Sequence, residues 1–582
     1  MKKSQYPLET LRHSAAHVLA EAIREIFPEA KFGTGPATET GFFYDVELPR
    51  ALTPEDLGAL EEKMREIIRA DHPFEKAIIP IDDAIAKFRE LAQPYKVELL
   101  EDLKSEGEKE VSVYSSGSFV DLCRGPHVDS TGDIPADGLT LDRIAGAYWK
   151  SDESRKQLQR ISGLLFANKK ELKQYLARRE EAKKRDHRVL GKELDLFSFS
   201  DMVGSGLPLW SPKGTALRTQ LQNRLTDISA KYDMLPVTIP HIGKRILYET
   251  SGHAQKFGDE LITVQSHYDT FCLKPVNCPH HTQIYASRPR SYRDLPLRYM
   301  ESTMQYRDEK PGEIGGLTRV RSITCDDGHI FCRVDQIEEE AKRIAKIIEE
   351  FYTSLGLFGN HWVSLSVRDP ETPDAYVGEP ADWDKAESML EKISGDLDLG
   401  AKRVEGEAAI YGPKLDYMFR DSLGREWQLA TIQIDFAMPK RFQLTYIGQN
   451  GEKETPVMIH RAILGSYERF LAILIEHYAG AFPMWLAPVQ VAVLPVSEKF
   501  ADYAREVLEK LKAAGIRVEL HDEDESLGKR IREQEKQKVP AMLILGEKEQ
   551  NAGTVTVRQR KDLDLFGNEP VSLDEFLEKV RA

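Results

Sequence analysis

The sequence is poor in cysteine and lacks long apolar segments. Its 582 residues include only five cysteines, Cys123, Cys272, Cys278, Cys325 and Cys332. A number this small and odd favours a reducing compartment, where a cysteine is a ligand, a nucleophile or part of a core rather than half of a disulfide. No apolar run approaches the length of about 20 residues that a transmembrane helix needs. We therefore expect a cytoplasmic protein that does not enter a membrane.

The N-terminus also lacks the features of a secretion signal. The opening MKKSQYPLETLRHSAAHVLA has a short basic start, but polar and charged residues follow before any apolar core is formed. We therefore expect no signal peptide.

An overall excess of basic residues is absent as well. The net charge is −15, which by itself argues mildly against a nucleic-acid partner. Binding to nucleic acid needs only a local basic surface, however. Residues 169–188 contain nine Lys/Arg against four Asp/Glu. This stretch fits a nucleic-acid contact and a solvated helix face equally well.

The composition and the order of predicted elements indicate a folded protein of several domains with mixed helix and strand. The chain is 41% hydrophobic and 30% charged, and its length corresponds to about three or four domains. Helical spacing over 11–27 is followed by strand-like alternation in 96–100 (KVELL) and 111–123. A charged helix is predicted over 167–188 as a connector. A large mixed region follows, and from 488 onwards strands and helices alternate as in a small α/β domain.

Two pairs of potential ligands stand out in the N-terminal region. His13 and His17 are four apart on a helical stretch, so their side chains share one face. Cys123 and His127 are also four apart, in DLCRGPH. One HxxxH pair alone is more often an ordinary helix face, but two pairs in one region offer the nitrogen and sulfur donors that zinc accepts.

Arginines mark a candidate nucleotide site further along the chain. Arg307 and Glu309 precede a glycine-rich turn, and Arg319 and Arg321 follow it. A guanidinium binds phosphate with two hydrogen bonds, although an exposed charged hairpin explains the same pattern. Arg469 lies near the predicted N-terminus of an apolar helix, where phosphate is favoured. No Walker loop and no GxGxxG fingerprint is found in the sequence.

These segments resemble the threonyl-tRNA synthetases, a family of class II aminoacyl-tRNA synthetases. HSAAHVLAEAI, CRGPHV and AYWKSDESRKQLQRI are similar to the editing domain shared by threonyl- and alanyl-tRNA synthetases. Residues 297–331 and 460–480 resemble motifs 2 and 3 of class II enzymes, and Pro240 resembles the motif 1 proline at a dimer interface. NCPHH, IYGPKLDY and EWQLATIQIDF extend the likeness across the catalytic region.

The resemblance implies an α+β multidomain architecture. An α+β editing domain would occupy 1–166 and a connector helix 167–188. A class II catalytic domain built on an antiparallel sheet would occupy 189–487, and an α/β anticodon-binding domain 488–582. Bacterial relatives usually carry a further ubiquitin-like domain before the editing domain, whereas this sequence begins a few residues before His13.

The implied function is threonine–tRNA ligase. Threonine would be activated with ATP and Mg²⁺, transferred to the terminal ribose of tRNA(Thr), and seryl-tRNA(Thr) would be hydrolysed. The implied partners are tRNA(Thr) and a second copy of the chain in a homodimer. One zinc ion per subunit would be held by Cys278, His329 and His460, with its fourth position open for threonine.

The resemblance also assigns roles to other residues. Catalysis would rest on Arg307, Arg469 and His253. ATP would be surrounded by Arg307, Glu309, Arg319, Gln428, Thr431, Gln433 and Arg469. Threonine would contact Asp327, Tyr411 and Lys414. Editing would use His13, His17, Lys96, Asp121, Cys123 and His127. The anticodon would be read by Glu549 and Arg558.

Two positions depart from the family pattern of motif 2. Ile323 stands where the family has a phenylalanine that stacks on adenine, and Cys325 stands where it has a glutamine. Losing the stacking ring would cost ~1 kcal/mol of nucleotide affinity. These departures keep open a tRNA-binding paralogue without synthetic activity. A prolyl-type synthetase and an unrelated metal-dependent hydrolase are further alternatives.

Overall fold

The computed structural model describes residues 6–567 and 569–581. The chain divides into two units, Met1–Glu181 and Ala182–Ala582. No helix of the described residues is both long enough and apolar enough to cross a bilayer.

The first unit is organised around its N-terminal helix, Leu8–Ile26. Ala15, Leu19 and Ile23 lie on its buried face, and they share a core with helix Pro54–Ala70 and a four-stranded antiparallel sheet. The strand order of this sheet is Lys31–Phe32, Gly41–Glu47, Gln157–Leu165 and Leu139–Tyr148. The helix predicted over 11–27 therefore matches the structure to within a few residues.

A smaller antiparallel sheet in the same unit supports a second pair of helices. Its strands are Glu75–Pro80, Glu110–Ser116 and Phe119–Leu122, and the helices are Ile81–Glu90 and Pro94–Ser105. The strand predicted over 96–100 is wrong, because these residues lie inside Pro94–Ser105. Pro94 favours a helix start through its fixed φ, and the apolar pair Val97 and Leu100 is spaced for a helix. Five residues are too few to separate the two periods.

The predicted connector helix is shorter than expected. It spans Lys169–Arg185, and a second helix, His187–Glu193, begins two residues later. Asp186 separates them because its carboxylate caps the second helix, accepting from the Arg188 N–H at 2.8 Å.

The second unit contains an eight-stranded sheet. Its order is Leu235–Pro236, Leu297–Tyr306, Ser322–Cys332, Val457–Ala462, Glu426–Asp435, Lys414–Arg420, His361–Val367 and Lys402–Glu405. Only the outermost pair at each edge is parallel. Helices Pro212–Ala230, Ile337–Ser354, Pro380–Asp396 and Tyr467–His477 share its core. Ile344, Ile348 and Phe351 are fully buried on one face of Ile337–Ser354.

The second unit also contains smaller elements. A three-stranded antiparallel sheet has the order Ile242–Lys244, Thr270–Leu273 and Thr263–Gln265. The helices here are Arg245–Ser251, His253–Phe257, Cys278–Ala286 and Ala437–Arg441. Two-stranded sheets are formed by Tyr446–Ile447 with Lys453–Glu454, and by Phe197–Ser198 with Leu209–Trp210.

The C-terminal part of the second unit is a five-stranded mixed sheet. Its order is Val518–Leu520, Val491–Pro495, Ala541–Leu545, Thr554–Gln559 and Val571–Ser572. The first three strands are parallel, and the last two are antiparallel to their neighbours. The helices are Ala501–Ala513, Leu527–Lys536, Glu547–Ala552 and Leu573–Arg581. The strand–helix alternation predicted here is confirmed.

Candidate active sites

Three potential metal ligands converge in the second unit. His329 on Ser322–Cys332 lies directly opposite His460 on Val457–Ala462 in the antiparallel register. Cys278 is the first residue of helix Cys278–Ala286. One ligand atom of each lies within 4.8 Å of the others, and all three side chains are buried.

The surroundings of this cluster suit a zinc ion. His460 Nε2 lies 2.9 Å from Asp435 Oδ2, and His329 Nδ1 lies 2.7 Å from His281 Nδ1. These contacts engage Nε2 of His460 and Nδ1 of His329, so Nδ1 of His460 and Nε2 of His329 are the ring nitrogens available to a metal. Burial lowers the pKa of His329 and so keeps its imidazole neutral, the form that ligates. Burial raises the pKa of the Cys278 thiol, so a thiolate here requires a cation beside it.

Residues expected to contact threonine surround the cluster. The Asn277 amide donates to Asp327 Oδ2 at 3.0 Å, and Asp327 Oδ1 lies 3.5 Å from His329 Nε2. The Tyr411 ring is centred 5.0 Å from that of His460 and 5.3 Å from that of His253. This geometry places one carboxylate and one aromatic wall beside the ligand set.

His253 lies at the edge of the same cluster. Its Nδ1 is 2.9 Å from the Ser251 hydroxyl, and its Nε2 is 4.0 Å from Cys278 Sγ. Burial, with the neighbouring His460, lowers the pKa of His253 to about 3. Its imidazole is therefore neutral at pH 7 and is a weak base.

Three arginines predicted to bind ATP lie near one another. Burial lowers the pKa of Arg469, and the positive charges of Arg307 and Arg319 lower it further. Arg469 Nε donates to the Thr318 carbonyl at 3.1 Å, while its backbone N–H donates to the capping hydroxyl of Ser466. A concentration of positive charge at a helix N-terminus is suited to a polyphosphate.

Glu309 is buried beside this positive cluster. Arg319 Nε donates to Glu309 Oε2 at 2.7 Å. Arg321, which the expected ATP-binding set did not include, donates to the Glu309 carbonyl at 2.9 Å through Nη2. The Arg307 guanidinium lies over the Phe257 ring, 5.0 Å from its centre. Glu309 thus holds Arg319 and Arg321, and Phe257 packs against Arg307.

The carboxylate of Asp416 connects the expected ATP-binding and threonine-binding residues. Its Oδ1 accepts from Gln428 Nε2 and the Thr431 hydroxyl, both at 2.8 Å. Its Oδ2 accepts from Lys414 Nζ at 2.7 Å and from the Ser366 hydroxyl at 2.8 Å. Sequence reasoning missed Asp416, although it lies inside the quoted segment IYGPKLDY. Its signal was an acidic residue inside a strand, between the buried residues Leu415 and Tyr417.

Gln433 is held separately from this network. Its side-chain amide donates to the Gly412 carbonyl at 3.3 Å. The register places Gln433 between Lys414 on one neighbouring strand and His460 on the other. The residue therefore lies between the Asp416 network and the metal-type cluster.

A second residue missed by sequence reasoning, His187, joins the motif 2 turn to the motif 3 helix. The Leu317 N–H donates to His187 Nε2 at 3.0 Å, so the ring proton is on Nδ1. Nδ1 then donates to Glu476 Oε1 at 2.6 Å, which also accepts from the backbone N–H of His187. A Cβ on Gly316 would lie 2.3 Å from His187 Nε2, so only glycine fits against this ring.

The two ligand pairs of the N-terminal region also meet. Cys123 Sγ lies 3.2 Å from His13 Nε2 and 3.3 Å from His127 Nε2. The His17 ring is centred 4.2 Å from the His127 ring. Burial lowers the pKa of His127 to about 2 and raises that of Cys123 to about 11. At pH 7 these groups are neutral imidazoles and a neutral thiol.

A buried ion pair lies next to this cluster. Lys96 Nζ is paired with Asp121 Oδ1, and Asp121 Oδ2 is 3.6 Å from His17 Nε2. The Tyr44 hydroxyl donates to Asp121 Oδ2 at 2.5 Å and accepts from Lys96 Nζ at 3.0 Å. Sequence reasoning did not predict Tyr44 as a site residue, because it follows two phenylalanines in a buried strand and looks like another core aromatic. A cavity of about 330 Å³ opens beside His13.

The two residues expected to read the anticodon lie on helix Glu547–Ala552 (Glu549) and on strand Thr554–Gln559 (Arg558). Glu549 Oε2 accepts from the Gly546 N–H at 2.9 Å, and Oε1 accepts from the Thr556 hydroxyl at 2.7 Å. Arg558 is exposed and pairs with Glu535 at 2.7 Å. A base would therefore have to displace existing partners of both residues.

The remaining predicted positions lie on the strands of the large sheet or beside it. Pro240 is exposed and follows Ile239, whose N–H donates to Glu301 Oε1 at 3.0 Å. Ile323 and Cys325 are partly buried on Ser322–Cys332. The Cys325 thiol donates to the Asp326 carbonyl at 3.8 Å.

Comparison with known proteins decides between the alternatives. Family models match at 111–162, described as the threonyl and alanyl tRNA synthetase second additional domain, at 260–478, the tRNA synthetase class II core domain (G, H, P, S and T), and at 490–582, an anticodon binding domain. A protein named threonine–tRNA ligase from Cytophaga hutchinsonii is 49% identical over 96% of this chain and 86% of its own length. The chain belongs to the threonine–tRNA ligase family. A Thermus thermophilus relative of the same name is 48% identical, covering 94% of this chain and 85% of its own.

The solved structures agree with this assignment. The RNA-binding domain of threonyl-tRNA synthetase from Cryptosporidium parvum is 35% identical, with a TM-score of 0.65, covering 68% of this chain and 98% of its own. The expected class II architecture, the ligase activity and its requirement for ATP and Mg²⁺ are thus confirmed. The prolyl-type, hydrolase and non-synthetic alternatives are wrong. The anticodon-binding domain identifies tRNA as a partner.

Proposed function

We propose that this threonine–tRNA ligase selects its amino acid at a zinc site formed by Cys278, His329 and His460. The convergence of one buried thiol and two buried imidazoles supports this assignment most strongly. When bound, zinc supplies an open position for the amino and hydroxyl groups of threonine. Asp327 accepts the hydroxyl hydrogen, and Tyr411 and Lys414 line the pocket. Valine lacks the hydroxyl and is rejected, because it leaves buried polar groups unpaired.

We assign ATP binding to the arginine cluster and the Asp416 network. Arg307 holds the α-phosphate and the threonine carboxylate, while Arg469 and Arg319 neutralise the remaining phosphates together with the Mg²⁺ that enters with ATP. The other groups around the nucleotide are Glu309, Gln428, Thr431 and Gln433. Holding the carboxylate in line with the α-phosphate favours displacement of pyrophosphate and formation of threonyl-adenylate.

For the transfer step we assign His253 as the proton acceptor at the terminal ribose of tRNA(Thr). Its neutral imidazole and its place 4.0 Å from Cys278 Sγ support this role. The low pKa makes His253 a weak base, so its position matters more than its basicity. The Ser251 hydroxyl beside Nδ1 orients the ring so that Nε2 accepts the proton.

The N-terminal cluster hydrolyses mischarged seryl-tRNA(Thr) in this proposal. Serine lacks one methyl of threonine, which provides only ~1–3 kcal/mol of discrimination, so a second site is needed. The neutral states of Cys123, His13, His17 and His127 support water attack oriented by imidazoles rather than attack by a thiolate. Lys96 and Asp121 orient the ester, and the 330 Å³ cavity offers room for it.

The remaining assignments concern organisation. We propose an editing domain over 1–166, a connector over 167–188, a catalytic domain over 189–487 and an anticodon-binding domain over 488–582. Glu549 and Arg558 contact the anticodon, two chains associate through the Pro240 segment, and the enzyme acts in the cytoplasm.

The deciding experiment is amino-acid-dependent ATP–pyrophosphate exchange with zinc content determined on the same sample. We expect exchange with threonine, weaker exchange with serine, none with valine, and about one zinc per chain. Exchange with valine, or full exchange without zinc, would contradict the proposed selection. Replacing Ile323 with Phe should lower the KM for ATP, because the added ring can stack on adenine, and an unchanged KM would contradict this expectation.

A further inference from the structure

A chain of buried polar groups runs from the proposed zinc ligand His329 to the motif 1 segment. His329 Nδ1 lies 2.7 Å from Nδ1 of His281, and His281 Nε2 lies 3.5 Å from Glu301 Oε2. Glu301 Oε1 accepts from the backbone N–H of Ile239 at 3.0 Å. Ile239 directly precedes Pro240.

The hydrogen positions in this series of polar groups are determined once His329 ligates a metal. A metal on Nε2 requires the ring proton on Nδ1, so His329 must donate to His281. His281 then accepts at Nδ1 and carries its own proton on Nε2. That proton points towards Glu301, whose second oxygen is already engaged by Ile239. Every group in the chain has one fixed role.

The contact between His281 and Glu301 is incomplete as it stands. Both side chains are buried, and within the described part of the chain neither His281 Nε2 nor Glu301 Oε2 has a hydrogen-bond partner. Buried polar atoms are rarely left unpaired, because the cost is about 1–3 kcal/mol. The two unpaired atoms face each other at 3.5 Å, so a small movement pairs both.

We propose that His281 and Glu301 are positioning residues that orient His329 for zinc and couple the zinc site to the Ile239–Pro240 segment. The inference rests on the zinc site proposed above. His329 donates to His281, and Glu301 completes the chain by accepting from both His281 and Ile239. Loss of zinc removes the constraint on the His329 proton and weakens the hold on Ile239. Carboxylate–histidine partners behind a ligand typically change metal affinity about 10- to 100-fold.

The test compares His281→Asn with His280→Asn in the full chain. The shorter asparagine side chain cannot reach from His329 to Glu301, whereas His280 is the adjacent buried histidine and packs beside Tyr248, with ring centres 6.1 Å apart. Zinc affinity is measured by competition with a chromophoric chelator, and the thiolate charge-transfer band of Co²⁺-substituted protein reports the ligand geometry. We expect affinity to fall roughly 10- to 100-fold in His281→Asn and to change less than about twofold in His280→Asn.

Glu301→Gln and amide hydrogen exchange test the part of the hydrogen-bonded series that runs from His281 through Glu301 to Ile239. A glutamine has one acceptor oxygen, so either His281 or Ile239 loses its partner, and zinc affinity should fall about tenfold. Removing zinc from the wild type should speed hydrogen exchange in the 237–244 segment, whereas in Glu301→Gln zinc removal should have little further effect.

The outcomes separate this inference from the zinc proposal. Absence of zinc from the wild type refutes the zinc site itself. A wild type that binds zinc, together with His281→Asn of equal affinity, overturns the inference. An equal loss of zinc affinity in His280→Asn and His281→Asn also overturns the inference, because the effect would then come from general disruption of the site. If the rate of amide hydrogen exchange in the 237–244 segment is the same with and without zinc, the coupling is overturned.

Discussion

Asp416→Asn should weaken the binding of both substrates, because one carboxylate holds residues of both sites. The substitution keeps an oxygen for Gln428 and Thr431 but turns an NH₂ group towards Lys414 Nζ, which now lies 2.7 Å from Oδ2. The lost bond is charge-assisted and nearly buried. Such bonds contribute about 1.5–3 kcal/mol. At about 1.4 kcal/mol per tenfold change, kcat/KM should fall roughly 10- to 150-fold.

The assay is ATP–pyrophosphate exchange at varied threonine and varied ATP. We expect both KM values to rise, since Lys414 is assigned to the threonine pocket and Gln428 and Thr431 are assigned to the nucleotide. Zinc content should be unchanged, because Asp416 contacts no member of the Cys278 cluster among its described hydrogen bonds.

A matched control separates this effect from general destabilisation. Glu340 is a buried carboxylate that accepts from Arg298 at 2.6 and 2.7 Å, away from the residues assigned to substrates. Glu340→Gln should lower the melting temperature like Asp416→Asn but leave both KM values unchanged. If Asp416→Asn alters stability alone, or if Glu340→Gln raises the KM values equally, the reasoning about Asp416 is refuted.

Three other predictions concern the remaining groups. Tyr44→Phe removes the bonds to Asp121 and Lys96 and should slow hydrolysis of seryl-tRNA about 10- to 100-fold, with threonine activation unchanged; equal hydrolysis rates would contradict it. His187→Gln should raise the KM for ATP but not for threonine in the exchange assay, since it frees the Leu317 turn, and a parallel rise in both would indicate a general defect. The pKa of His127 is lower in the folded than in the unfolded state, so its contribution to stability is complete above pH 6.5 and is lost as the pH falls. The loss at pH 5 is about 2 kcal/mol, measurable by urea unfolding, and His127→Asn should reduce it.

Much of the architecture was accessible from the sequence because it depends on local pattern. The N-terminal helix and the C-terminal alternation both carry their period in consecutive residues. The error at 96–100 shows the limit of such reasoning. A five-residue window satisfied two periods, and packing of Tyr95, Lys96 and Leu100 selected the helix.

The sequence by itself was enough to identify the family and its ligase chemistry. It also named Cys278, His329 and His460 as a candidate ligand set. These follow from residue types within motifs, which persist in the linear chain. Only the tertiary structure decided how the groups are connected, because strands far apart in sequence become neighbours through register. His329 and His460 meet across one strand pair, Asp416 gathers donors from three strands, and His281 lies behind a ligand 48 positions away. Such contacts depend on hydrogen-bond geometry between distant segments, which has no period to detect.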